Sequence, residues 1–154
     1  MENIVITQKG NIKLIDFGFS KQLIEKQRTY TRWGTKGYVA PEISQGIGHN
    51  VKSDIWSFGI LFWHMISGVT PVKDDRLKNV FRLISDEIYA KDLLNKCLDI
   101  YPDNRPSIKT IMEHKFFDDI DWDLARKGDQ NNYFHPLLDG PFDSHYFSCK
   151  CAAL

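Results

Sequence analysis

The sequence predicts a mainly α-helical α+β fold opened by a short β-hairpin, and three observations predict it. Two β-branched runs, Ile4-Val5-Ile6 and Ile12-Lys13-Leu14-Ile15, flank Thr7-Gln8-Lys9-Gly10-Asn11, where Gly10 can supply the turn. A dense apolar block fills Asp54 to Ser67. Beyond it, apolar residues recur at three-to-four spacing in several further stretches, the period of a helix with one buried face.

The elements follow in chain order. From Lys21 to Lys36 polar and basic residues dominate without a helical or strand period, which predicts a long loop. Loops of that length are usually functional or mobile. The block from Ile55 through Trp63 places large apolar side chains on every face, the pattern of a helix buried all round. Three amphipathic helices are expected after it: one on Leu77, Val80, Phe81 and Ile84, one on Leu93, Leu94, Cys97 and Leu98, and one on Ile108, Ile111 and Met112. Pro71, Pro102 and Pro106 punctuate them, and Ser107 is placed to N-cap the last. After Phe117 the character changes. Asp118 to Asp123 and Asp129 to Asn132 are acidic and polar, and Tyr133, Phe134, Phe142, Tyr146 and Phe147 follow without period. Such a segment lacks the means to build its own core and is expected to dock on another surface.

Composition sets bounds on function. A chain of 154 residues, 42% hydrophobic and 26% charged, has the size and balance of an ordinary globular domain. The net charge of zero hides a split: 17 basic and 13 acidic side chains up to residue 117, then 3 basic and 7 acidic ones. No Lys/Arg cluster with interleaved aromatics forms, so nucleic acid is not expected as a partner. Cys97, Cys149 and Cys151 fit neither a disulfide framework nor paired metal ligands, which points to a reducing cytoplasm. The longest apolar stretch, Ile60 to Ile66, is far short of the ~20 residues a bilayer span needs, and Met1-Glu2-Asn3 does not begin a signal peptide.

The motifs carry more. Asp16-Phe17-Gly18, Ala40-Pro41-Glu42, Asp54-Ile55-Trp56-Ser57-Phe58-Gly59 and Asn104-Arg105-Pro106 occur in this order, with a strand before the first, a long loop after it and a buried helix beyond. On these motifs residues 2–117 resemble the C-terminal lobe of a eukaryotic Ser/Thr protein kinase. Arg28-Thr29-Tyr30-Thr31-Arg32-Trp33-Gly34-Thr35 is similar to the activation loop of the AGC group, the cyclic-nucleotide-dependent and related kinases. His114-Lys115-Phe116-Phe117, Ile120-Asp121-Trp122 and Pro141-Phe142-Asp143 are similar to that group's C-terminal extension. The resemblance therefore implies a partial kinase domain over 1–117, from the catalytic-loop asparagine onward, an AGC-type extension over 118–154, and no N-terminal lobe.

It also implies roles for residues. Asp16 would hold the Mg²⁺ that bridges the ATP phosphates, and Asn3 the second metal ion, both through hard oxygen donors. Val5 would line the adenine pocket, and Thr35 would support the substrate-binding loop. Thr31 matches the activating phosphosite, with Thr29 as the alternative, and a phosphate there would order the loop against cations such as Lys21. Phe17 and Gly18 complete the first motif structurally, Glu42 is expected to pair with Arg105, and Asp54 resembles the aspartate that bonds the backbone of the catalytic loop.

Departures from the family pattern bear on activity. The glycine-rich loop, the strand lysine and the catalytic-loop aspartate would all lie before Met1, which itself stands where the family usually has proline. Lys36-Gly37 replaces a proline and an acidic residue, and His64 stands where relatives often carry a glutamate that reads substrate arginine, although Glu2 keeps one acidic determinant. The stretch from Ile84 to Ala90 is shortened. The expectation is a fragment of an AGC-like kinase whose complete form uses ATP and Mg²⁺ to phosphorylate Ser or Thr of a protein substrate. The 154 residues alone would be inactive and marginally folded for want of the N-lobe. The alternative is a non-catalytic kinase-lobe binding module or scaffold. Cys151-Ala152-Ala153-Leu154 fits a prenylation box with leucine favouring geranylgeranyl, which implies membrane association through a lipidated C-terminus. The acidic residues upstream lack the usual polybasic second signal, and Cys149 could carry a palmitate instead.

Overall fold

The computed structural model describes residues 3–24, 27–68, 88–128, 134–140 and 143. The helix expected around Leu77 to Ile84, Pro71, Glu2, Cys149, Cys151 and the aromatics Tyr133, Phe142, Tyr146 and Phe147 lie outside the described residues. The chain divides into two compact units, Met1–Phe17 with Asp121–Leu154, and Gly18–Ile120.

In the first unit, β1 (Ile4–Ile6) pairs antiparallel with β2 (Ile12–Leu14) in the register Ile4↔Leu14, Val5↔Lys13, Ile6↔Ile12. The turn closes because Gly10 adopts φ 80°, which places its N–H 2.8 Å from the Thr7 carbonyl, and because the Thr7 hydroxyl accepts the Asn11 N–H at 3.0 Å. Ile15, expected inside the second strand, lies beyond it and donates its N–H to the Asn3 carbonyl at 3.0 Å. The same unit contains a helix, Trp122–Lys127, in the acidic stretch for which no helix was expected. Its cause is local: Asp121 accepts the N–H groups of Asp123 and Leu124, and Gly128 at φ 72° ends the helix. Gly128 also lies against the hairpin turn, since a Cβ there would stand 2.8 Å from Asn11 Nδ2.

The second unit is helical. We label its helices α1 (Pro41–Gln45), α2 (Lys52–Ser67), α3 (Ile88–Cys97) and α4 (Ile108–Met112), and the helix of the first unit α5. Short 3₁₀ turns cover Pro102–Asn104 and Lys115–Phe117. Helix α2 begins two residues before Asp54, where Asn50 Oδ1 accepts the Lys52 N–H at 2.9 Å, and ends at Gly68 in the left-handed conformation. The core joins α2 to α3: Ile55, Phe62 and Trp63 meet Ala90, Leu93, Leu94 and Cys97, with Ile111 of α4 beside them. Gly59 makes that approach possible, because a Cβ at this position would come within 2.8 Å of Leu98 Cδ2 and 3.0 Å of Cys97 Cβ. Phe62 then meets Phe116 edge-on at 4.9 Å, and Phe116 meets Phe117 at 5.0 Å, so the 3₁₀ turn closes one end of the core.

Two further expectations need correction. Helix α2 is not buried all round: Ser53, Ile55, Gly59, Ile60, Phe62 and Trp63 form its buried face, whereas Met65 is 66% exposed. An apolar residue count cannot show which face has a partner. In α4 only Ile111 is buried and Ile108 is exposed, because a five-residue helix presents too few positions for a full apolar face. Its start does obey the local rule, with the Ser107 hydroxyl accepting the Thr110 N–H at 3.1 Å. Burial pushes the Cys97 thiol up to about 12, which leaves it protonated and inert inside the core.

Candidate active-site edge and loop fastenings

The register Ile4↔Leu14 brings Asn3 and Ile15 to the same open end of the hairpin, with Asp16 next in the chain. An amide carbonyl and a carboxylate thus flank one end of a two-stranded ribbon. Asp16 has φ 64°, the one positive φ outside glycine among the described residues, and aspartate is among the few side chains that tolerate it. Backbone strain of this kind gathers at functional positions. Phe17 is 67% exposed, Gly18 is exposed, and Val5 is half-buried in β1. Among the described residues no three His, Cys, Asp or Glu side chains converge as a metal cage. Mg²⁺ needs none: it is commonly held by one or two protein oxygens, with water and phosphate completing the shell. Asn3 and Asp16 carry side-chain oxygens of the hard type that such an ion takes.

The second unit holds the other sequence-predicted residues. Between Lys21 and Lys36 the described residues form neither helix nor named strand, apart from one antiparallel bridge between Thr29 and His49, closed by two N–H···O bonds of 2.9 Å. Strand-like pairing sends successive side chains to opposite sides. Tyr30 lies over Gly48, its ring carbon 2.8 Å from where a Cβ would stand, and the Arg32 guanidinium lies over Gly46 and reaches the Gln45 carbonyl at 3.4 Å. Thr29 and Thr31 go the other way. Lys21 Nζ donates to Thr31 Oγ1 at 2.5 Å and to Thr29 Oγ1 at 3.1 Å, and the two hydroxyls are 3.3 Å apart. Phe19 and Trp33, both exposed, stack at 5.0 Å. Thr35 is exposed at the head of a turn in which its carbonyl accepts the Tyr38 N–H at 3.0 Å.

Further along, Glu42 and Arg105 meet in a buried, two-pronged pair. Arg105 Nη1 donates to Glu42 Oε1 at 2.7 Å and Nη2 to Oε2 at 2.9 Å. Further bonds surround the pair: Ser53 Oγ donates to Glu42 Oε1, Arg105 Nη1 to the Lys52 carbonyl and Nε to the Asp99 carbonyl, each at 2.9 Å. Lys52 Nζ donates to the Arg105 carbonyl, and the Trp56 ring lies 5.0 Å from the guanidinium carbon. Burial pushes the Glu42 carboxyl up, but hydrogen bonds from Arg105, its own backbone and Ser53, with the Arg105 charge, overcome it and hold the group below its ordinary value. Asp54, in the first turn of α2, is raised by its packing, with His49 opposing the rise.

The structure thus brings Glu42 to Arg105, Lys21 to both threonines, and Asn3 to the residue before Asp16. Four participants were not foreseen: Ser53, Trp56, Gly46 and Gly48. Glycines two apart, opposite a loop with large residues two apart, carried the signal for the last pair.

Comparison with known proteins gives a consistent picture. The protein kinase domain family matches residues 1–117. Ribosomal protein S6 kinase alpha-3 of Mus musculus is 32% identical over 99% of this chain and 23% of its own length. The cAMP-dependent protein kinase catalytic subunit of Dictyostelium discoideum is 32% identical over 95% of this chain and 24% of its own, and Protein kinase C, eye isozyme, of Drosophila melanogaster is 33% identical over 90% and 22%. The chain therefore spans about a quarter of the length of these relatives. Among the described residues no helix is long and apolar enough to cross a membrane.

Proposed function

This chain belongs to the protein kinase family, in its AGC-like Ser/Thr group, and on that premise we propose that it is the C-terminal-lobe portion of a kinase that moves the ATP γ-phosphate to a protein Ser or Thr hydroxyl. The observation that carries the reading is the buried Glu42–Arg105 fork. It fastens the end of the segment from Asp16 to Glu42 to the helical body, which leaves Thr29 to Thr35 to respond to a phosphate or a substrate.

The proposed roles follow from the chemistry of each group. Asn3 and Asp16 would hold Mg²⁺ through oxygen, Val5 would line the adenine pocket, Thr31 would accept the activating phosphate, and Thr35 would support the substrate loop. Mg²⁺ when bound neutralises charge on the transferring phosphates. Residues 1–117 would be the partial kinase domain and 118–154 its extension. On this reading the 154 residues match neither the glycine-rich loop, nor the strand lysine, nor the catalytic-loop aspartate, and Asn3 and Asp16 would be their metal-binding contribution to catalysis.

The 154-residue chain, incubated with radiolabelled ATP, Mg²⁺ and a panel of Ser/Thr peptides, is expected to transfer no phosphate. The longest product of its gene is expected to transfer it and to lose that activity on Asp16→Asn. Transfer by the 154-residue chain would refute its proposed inactivity. An inert longer product would favour a binding module instead.

A further inference from the structure

We propose that Lys21 seats one phosphate at a time, so that Thr29 is a second modification site antagonistic to Thr31. The proposal rests on the reading of Thr31 as a phosphoacceptor given above, and adds a rule of occupancy to it.

The geometry begins with register. The Thr29–His49 bridge and the seating of Tyr30 on Gly48 and Arg32 on Gly46 commit the odd-numbered side chains of this stretch to one side. Both glycines have positive φ, 68° at Gly46 and 88° at Gly48, and both lack the Cβ that would lift the large side chains away. Thr29 and Thr31 are thereby held side by side, their oxygens 3.3 Å apart, with the ammonium of Lys21 touching both. A register shifted by one residue would present Tyr30 and Arg32 to Lys21 instead.

Charge then sets the capacity. A phosphothreonine carries about −1.5 to −2 at neutral pH. Lys21 offers a single positive charge and three N–H donors, enough to neutralise much of one phosphate. Two guanidiniums adjoin the threonines in sequence, Arg28 before Thr29 and Arg32 after Thr31; Arg32 lies on the opposite side of the strand and bonds the Gln45 carbonyl. Among the described residues Lys21 is the one cation recorded in contact with either threonine hydroxyl. A second phosphoryl group would face the first across the gap between neighbouring side chains with its counter-charge already taken.

In each modification an activating kinase supplies ATP. The threonine Oγ1 forms a bond to Pγ, the bond from Pγ to the oxygen bridging the β-phosphate breaks, ADP leaves, and the hydroxyl proton is released. The rule of occupancy means that this event on Thr29 removes the seat Thr31 needs, and the reverse.

The test uses the full chain with phosphothreonine encoded at 29, at 31, or at both, followed by ³¹P NMR across a pH titration, with the same chains in urea as reference. Either single phosphate is expected to take up its second negative charge at lower pH than in urea, and Lys21→Met should abolish that difference. In the doubly phosphorylated chain one resonance should titrate about one pH unit or more above its singly phosphorylated value. Two resonances titrating as the single ones do would overturn the proposal. So would single phosphates that behave in the folded chain as they do in urea. Phosphopeptide mapping of Thr29–Arg32 from the native cell is the separate check on the reading beneath it: absence of phosphate from Thr31 there would sink that reading, whatever the NMR shows.

Discussion

The Asp16 to Glu42 stretch is fastened at two places by the same chemistry, a cation against side-chain oxygens, and the two fastenings differ in solvent. Arg105 and Glu42 are 0% and 2% exposed and are held by several further hydrogen bonds. Lys21, by contrast, reaches Thr29 and Thr31 from the surface. Buried, such a contact is permanent, because separating the partners leaves charges without water. Exposed, it is nearly neutral in energy and open to change, because water competes with the hydroxyls and a charged phosphate would bind the ammonium more strongly than they do. One stretch therefore combines a buried anchor with an exposed contact that, on the reading proposed above, a phosphate would rewrite.

The sharpest way to break this contrast is Arg105→Ala. It should destabilise the fold by about 3–5 kcal/mol, because the Glu42 carboxylate stays buried without its counter-charge; urea denaturation measures the loss. A cost under about 1 kcal/mol would mean that Glu42 rehydrates easily, and the two fastenings would then be alike. Next comes Gly59→Ala, which crowds Leu98 and Cys97 between α2 and α3 and touches neither fastening. Its expected cost is about 1–3 kcal/mol, with Glu42 chemistry unchanged.

The pH dependence comes third. The folded Glu42 carboxyl lies below the ordinary 4.5, so its contribution is fully present above about pH 4.5 and is lost as pH falls through the lower, folded value. Melting temperatures of the wild type and Glu42→Gln should therefore differ near neutrality and converge in acid. A gap that persists unchanged to the acid end would show that the carboxylate's charge contributes nothing. The smallest effect is that of Lys21→Met without phosphate, expected below about 1 kcal/mol in the same denaturation assay. A larger loss would make Lys21 a structural residue.

Particular residues show where reading the sequence works. Ser107 caps α4 because an N-cap depends on a side chain and a backbone group three residues on, both local. The hairpin was legible from Gly10 and the β-branched runs for the same reason. The partner of Glu42 was legible only through family likeness, since no local rule links residues 63 positions apart. Ser53, Trp56, Gly46 and Gly48 escaped both routes. The short helix α5 was missed because its acidic composition outweighed two good signals, Asp121 at the start and Gly128 at the end.

By itself the sequence determined the family, the order of the motifs, the turns and the caps, because each depends on residue identity over a few positions. Tertiary structure alone decided which stripe of α2 is buried, that Ser53 completes the Glu42–Arg105 fork, and that Thr29 and Thr31 share one ammonium. Those facts depend on which surfaces meet, and a meeting of surfaces is fixed by the shape of the packed chain, to which every residue in contact contributes.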